Sequence, residues 1–272
     1  MRPGAGVLCV VMLVCGLARS AEAQTPAPAQ SATDLAKQTQ NPVSSLVSLP
    51  FQFNFNGGGD LNDQTALNVN FQPVIPFKIT DRWNGITRII VPMNNMPTGF
   101  DTRASGIGDI QAQLFFSPAE PGRVIWGVGP MVSMPTATVA PLQTGTWAAG
   151  VGGVIVKITG PWVFGGLVQG FWPVSDRNGD PKTDLFVLQP AVNFNFGEGW
   201  SISTSPVITA NWNAASGERW TVPIGMGIAK VTALGTRPMS IGLHYYNYVK
   251  RPDGSAGFQL RLAVSLLFPT HR

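Results

Sequence analysis

The stretch GFQLRLAVSLLF at 257–268 alternates without a break. Phe258, Leu260, Leu262, Val264, Leu266 and Phe268 share one parity, and Gln259, Arg261, Ala263, Ser265 and Leu267 the other. A period of two is the strand period, because successive side chains point to opposite faces of a sheet. A strand so built is apolar on one face and largely polar on the other. That suits a soluble sandwich, or a sheet standing between lipid and water. The pattern recurs upstream. Phe51, Phe53 and Phe55 interleave with Gln52, Asn54 and Asn56, and Leu67, Val69 and Phe71 with Asn68, Asn70 and Gln72. Trp200, Ile202 and Thr204 interleave with Ser201, Ser203 and Ser205.

About twelve segments read as strands, each near the roughly 9–11 residues that a tilted membrane strand requires. They are 49–56, 65–78, 83–93, 107–117, 123–134, 147–158, 161–172, 184–196, 200–210, 219–230, 238–249 and 257–268. Alternation is weakest in the Gly-rich region 147–172. The connections take turns in length. GGGDLNDQ, NNMPTGFDTRASG, PTATVAPLQTGT and PVSDRNGDPKT are long, whereas ITDR, SPAEPG, TG and GEG are short. A transmembrane barrel sorts its loops in this way, with short turns toward the periplasm and long loops outside. Tryptophan agrees. Trp83, Trp126, Trp162 and Trp200 fall at one set of strand ends, and Trp147, Trp172, Trp212 and Trp220 at the other. Two such belts place a half-wet, half-dry ring at each membrane interface, and Lys78, Lys157 and Lys230 lie where they can snorkel to water.

The start of the chain fits export. Arg2, an apolar run from Val7 to Ala18 and the small residues Ala21–Ala23 form the pattern of a secretory signal peptide over 1–23. Cys9 and Cys15 both lie within it, so the fold has no disulfide to lean on. Residues 24–48 are a flexible Pro/Ala-rich segment followed by a mixed stretch, where the turn at Asn41-Pro42 leaves room for a short helix or plug. Charged residues are 12% of the chain, about half the 25% of soluble proteins. A formal net charge of +4 without a basic cluster does not describe a nucleic-acid partner. The expected fold is therefore all-β: a transmembrane antiparallel up-and-down β-barrel of about twelve strands over 49–272, behind an N-terminal signal peptide.

Several stretches carry a resemblance. DLAKQTQNPVSSLVSLPFQFNFN, LNVNFQPVIPFKITDRWNGITRIIVPM, GIGDIQAQLFFSP, WGVGPMVSMPTAT, LQPAVNFNFGEGW and RWTVPIGMGIAK resemble the bacterial outer-membrane family named for the MetA pathway of phenol degradation, whose members are often mislabelled neuromedin U. The resemblance covers nearly the whole mature chain. It implies a Gram-negative outer-membrane barrel with a link to uptake of aromatic compounds, and it brings no binding residues.

Enzymatic and metal chemistry find little support. Only His244 and His271 are available for a zinc site of His/Cys type, and no cysteine remains after export. His244 is expected to face inward beside Tyr246, with no serine following it at the same-face position. DRNGDPKTD at 176–184 begins like a calcium loop, but Pro181 stands where Gly is required, so Asn178-Gly179 is taken as a hairpin turn. No catalytic residue, cofactor or metal is expected. The inward parity is rich in Asn, Gln and Ser. Its candidate lumen-lining residues are Arg88, Asp109, Gln111, Asn193, His244, Tyr246, Gln259 and Arg261. An even split of the loop 94–105 sets Arg88 opposite Gln111, with Asp109 as a diagonal partner.

The absence of a basic ladder favours neutral or weakly polar solutes. The function expected is a passive channel or transporter for small solutes, aromatic ones among them. The alternative is a structural or accessory barrel with a side-chain-filled lumen. The expected partners are outer-membrane lipid, the barrel insertion machinery and a small solute. For the insertion machinery, Phe258, Leu260, Leu262, Val264, Leu266 and Phe268 form the assembly signal, although Pro269–Arg272 follow its aromatic end. On this basis Phe268→Ala slows insertion and lowers the heat-modifiable folded fraction in outer membranes. Unchanged insertion kinetics would remove the signal role.

Overall fold

The structure is a computed structural model that describes residues 31–59, 64–99, 101–143, 145–174, 184–235 and 237–269. The signal segment, Asn178-Gly179 and His271 lie outside the described residues. One helix, α1 (Ala32–Thr39), precedes β1 (Val47–Gly57), β2 (Ala66–Phe71), β3 (Val74–Lys78), β4 (Trp83–Pro97), β5 (Arg103–Ile107), β6 (Ile110–Pro118), β7 (Ile125–Met134) and β8 (Ala148–Thr159). Then come β9 (Trp162–Pro173), β10 (Leu185–Gly197), β11 (Trp200–Thr204), β12 (Ile208–Asn211), β13 (Trp220–Leu234), β14 (Arg237–Lys250) and β15 (Phe258–Phe268). β2 and β3 form one broken stave, as do β5 with β6 and β11 with β12, so the sheet is a closed antiparallel barrel of 12 staves.

Closure is made by β15 on β1, in unbroken register from Val47 opposite Phe268 to Gly57 opposite Phe258. β1 begins at Val47, and Leu46 before it is already buried, so the barrel starts slightly earlier than position 49. Short turns lie at 79–82, 119–124, 160–161 and 198–199, at the same end as Val47 and Phe268. The longer connections lie at the other end.

Parity is consistent around the wall. One outward row runs Val69, Phe53, Leu262, Leu243, Ile228 and Ile202 across neighbouring staves. The inward row one residue away runs Asn68, Asn54, Arg261, His244, Gly227 and Ser203. The outward tryptophans meet in pairs near the strand ends: Trp83 with Trp126 at 6.0 Å and Trp212 with Trp220 at 5.7 Å. Lys230 lies over the Trp200 ring at 4.6 Å, and Lys78 pairs with Asp81 at 2.5 Å.

The lumen is not the amide-lined tube expected from the sequence. From β4 to β9 its wall turns Ile86, Phe115, Met131, Val156, Leu167 and Phe171 inward, and these pack into one buried apolar cluster. The Gly-rich staves β8 and β9 are apolar on both faces, so period two is invisible there and the inward residues went unrecognised. From β10 round to β2 the wall is polar.

α1 lies inside at the short-turn end. Ser31 caps it by accepting the Asp34 N–H at 3.1 Å. Its apolar face buries Leu35 and Ala36 with Leu46, Val231 and Leu267, which uses the large apolar residue on the inward parity of β15. Gln40 and Asn195 exchange two side-chain hydrogen bonds, of 2.9 and 3.1 Å.

Lipid exposure of the outward rows is testable. Leu262→Arg, in mid-strand on that face, should lower folding stability by about 2–4 kcal/mol in lipid. Ala263→Arg, facing the lumen, should cost clearly less. Denaturant titrations in lipid vesicles compare them, and equal costs would contradict the parity.

Candidate functional site

Two separate cavities occupy the lumen. The inner one, at the short-turn end, has a volume of about 290 Å³. Its floor is α1 and the following segment, through Ala36, Gln40 and Pro42. One wall is apolar, with Phe115, Val156 and Leu167, and the facing wall carries the hydroxyls of Ser201, Ser203, Ser205, Ser240 and Ser265 together with His244. The outer cavity, about 220 Å³, lies toward the long loops between Pro92, Asn94, Asp109, Gln111, Ser133 and Phe171.

The eight candidate lumen residues divide into three groups. Arg88, Asn193 and His244 line the inner cavity, and Asp109 and Gln111 the outer one. Tyr246, Gln259 and Arg261 line neither, because they are built into a polar network that fills their side of the lumen. Arg261 is only 5% exposed. It donates to Asn54 Oδ1 at 2.9 Å, Gln259 Oε1 at 2.8 Å and Ser205 O at 3.3 Å, and it stacks on Tyr246 at 5.0 Å. Asn54 donates on to Asn68, and Asn68 to Asn94, at 3.0 and 2.8 Å. Gln259 donates to Asn56 Oδ1 and to the Tyr248 hydroxyl, at 3.0 and 3.1 Å. A buried charge demands such acceptors, and the amide-rich strands supply them.

The Arg88–Asp109 pairing is corrected. Arg88 stands opposite Gln113, not Gln111, and donates instead to Gln72 Oε1 on the preceding stave. One residue of this two-residue offset comes from the turn at 98–102, and the other from a break at Gly108–Asp109. Above it Met93 faces Ile107, and across it the register gains a residue. Asp109 turns to the outer cavity and accepts the Ala137 N–H at 3.0 Å.

A contact that the sequence did not reveal joins His244 to Ser203, with Nε2 and Oγ 2.8 Å apart. The two side chains belong to β14 and β11, which β13 separates. They meet because Gly227, between them in the row, has no side chain. A Cβ there would lie 2.5 Å from His244 Cγ and 2.1 Å from Leu243 O. Only the register of three staves could have shown this pair. The described residues hold no cluster of three or more His, Cys, Asp or Glu side chains able to bind a metal ion.

No protein-family model and no curated protein matches the chain. Solved structures do resemble it. The COG4313 outer membrane channel from Pseudomonas putida F1 superposes with a TM-score of 0.63 at 15% identity, covering 82% of this chain and 94% of the other. The NanC porin gives a TM-score of 0.52 at 9% identity, covering 82% of this chain and all of the other. At these identities the likeness is one of fold.

Gly227→Ala should destabilise the barrel by about 1–3 kcal/mol, since the new methyl meets backbone as well as imidazole. It should also part His244 from Ser203. Denaturant midpoints, with the His244 ring signals as a local probe, test both effects. An unshifted midpoint would mean that the row is looser than the structure has it.

Proposed function

We propose that this barrel is a passive channel of a Gram-negative outer membrane that conducts small neutral or weakly polar solutes, aromatic compounds among them. The observation that carries the proposal is the two-faced inner cavity. A flat apolar molecule bearing a hydroxyl would lay its body against Phe115, Val156 and Leu167 and turn its polar group to the serines and His244. Its volume of about 290 Å³ suits a solute of that size. The cationic groups nearby are already engaged, Arg88 by Gln72, Lys230 by the Trp200 ring and Arg261 by three oxygen acceptors, so they do not form an anion-selective ladder.

The lipid-facing rows and paired tryptophan belts support the membrane location. The channel folds of the COG4313 protein and the NanC porin, and the resemblance to the phenol-degradation family, point the same way. The filled network around Arg261 favours the second reading, a structural barrel that transports nothing.

Planar-bilayer recording separates the two. A channel gives discrete conductance steps that millimolar phenol reduces reversibly by occupying the inner cavity. A folded barrel that is silent in bilayers, and that leaves liposomes unswollen in small neutral sugars, is structural.

A further inference from the structure

On the walls that both cavities share, the two are kept apart by one layer of side chains. On β6, Phe115 faces the inner cavity and Gln111 the outer, with Gln113 between them. On β9, Gln169 stands between Leu167 and Phe171 in the same way. Val187 stands between Gln189 and Leu185 on β10, and Ile90 between Arg88 and Pro92 on β4. Met131 of β7 fills the gap left by Gly152, whose added Cβ would come within 1.9 Å of the Met131 methyl. Gln113, Met131 and Gln169 are 3%, 4% and 5% exposed, so the layer is closed.

The two glutamines differ from the other lumen amides. Those around Arg261 are linked to one another, but neither amide atom of Gln113, nor the amide nitrogen of Gln169, has a hydrogen-bond partner among the described residues. Buried amides are ordinarily paired, and an unpaired one calls for an explanation. Here both sit where a solute would have to pass.

We propose that this layer is the selectivity constriction of the barrel, and that Gln113 and Gln169 are the residues that recognise the passing solute. The proposal rests on the channel reading and names its filter. Gln113 offers a donor and an acceptor, Gln169 a donor, and Ile90, Met131 and Val187 supply apolar contact. None of the five carries a formal charge. The layer therefore admits a neutral solute with a hydrogen-bonding group on an apolar body. A charged solute would shed hydration there and meet no counter-charge. Met131 is the part able to move, since its unbranched thioether adapts readily and packs over a glycine.

The test uses the full mature chain in planar bilayers and in liposomes, with folding checked by heat-modifiable mobility. Gln113→Ala with Met131→Ala removes bulk and raises ion conductance severalfold. Gln113→Leu with Gln169→Leu keeps bulk but removes the polar contacts, and conductance and swelling in neutral sugars both fall severalfold as the constriction dewets. Gln113→Glu moves the reversal potential in a potassium chloride gradient toward the cation, and it decides the matter where the Leu pair fails to fold. A silent wild type overturns the channel reading and the filter with it, and a conducting Ala pair beside it shows only that a structural plug has been removed. If the wild type conducts and no variant changes conductance or reversal potential, the channel reading stands and the filter is wrong. An unchanged Leu pair removes the recognition role of the glutamines. If both the wild type and the Ala pair are silent, the layer is not the barrier and the channel reading falls with it.

Discussion

Backbone hydrogen bonding is the constraint on which the rest depends. A sheet in hydrocarbon must pair every N–H and C=O, and each one left open costs several kcal/mol. The chain meets this by closing β15 on β1 over the whole length of both strands. Closure leaves no edge at which a register error could be absorbed. A slip of one residue would turn Asn54, Arg261 and His244 to the lipid and bury Phe53, Leu262 and Leu243 in the lumen. The alternation along each strand and the closure of the sheet therefore specify one another.

Within the closed wall the two halves of the lumen are stabilised differently. From β4 to β9 the interior is a packed apolar cluster, and from β10 round to β2 it is a polar network centred on Arg261. The first gains from the hydrophobic effect. The second must find partners for its polar atoms, and it does so mostly with side chains on adjacent staves, His244 Nδ1 excepted. Neither solution fills the boundary between the halves. The inner cavity lies along that boundary, and its two-faced lining follows from it.

What the sequence made legible follows the same physics. Strand order, strand number, the sorted connections and the tryptophan belts all derive from period two and from the membrane interface, both of which are local signals. The inward residues of β8 and β9, Gln169 among them, are hidden in the sequence because Gly and Val occupy both faces there. The register of β4 against β6 was missed because the turn at 98–102 and the break at Gly108–Asp109 each shift it by one residue, and nothing in the composition marks that break as differing from a loop. Ser203 and His244 meet through the missing side chain of Gly227, a relation among three strands that no single segment contains. α1 was allowed for but could not be placed, since its partners Val231 and Leu267 belong to the end of the chain.

The three broken staves link this wall to its cavities. β2 and β3 part at Gln72–Pro73, β5 and β6 at Gly108–Asp109, and β11 and β12 at Ser205–Pro206. Each break borders a cavity: Gln72 and Ser205 line the inner one, and Gly108 and Asp109 the outer. Proline explains two of them, because it donates nothing to the ladder. The freed backbone groups are nevertheless held. The Gln72 N–H reaches Pro50 O at 2.9 Å and the Gly108 N–H reaches Pro92 O at 2.8 Å. The Ser205 N–H donates to the Tyr246 hydroxyl at 3.2 Å. Irregular backbone at membrane depth is tolerated only where protein or a cavity, and not lipid, surrounds it. The breaks and the cavities therefore require each other. The ladder is interrupted where the lumen is open enough to take the distortion, and the interruptions aim Gln72, Asp109 and Ser205 into the space where a solute would travel.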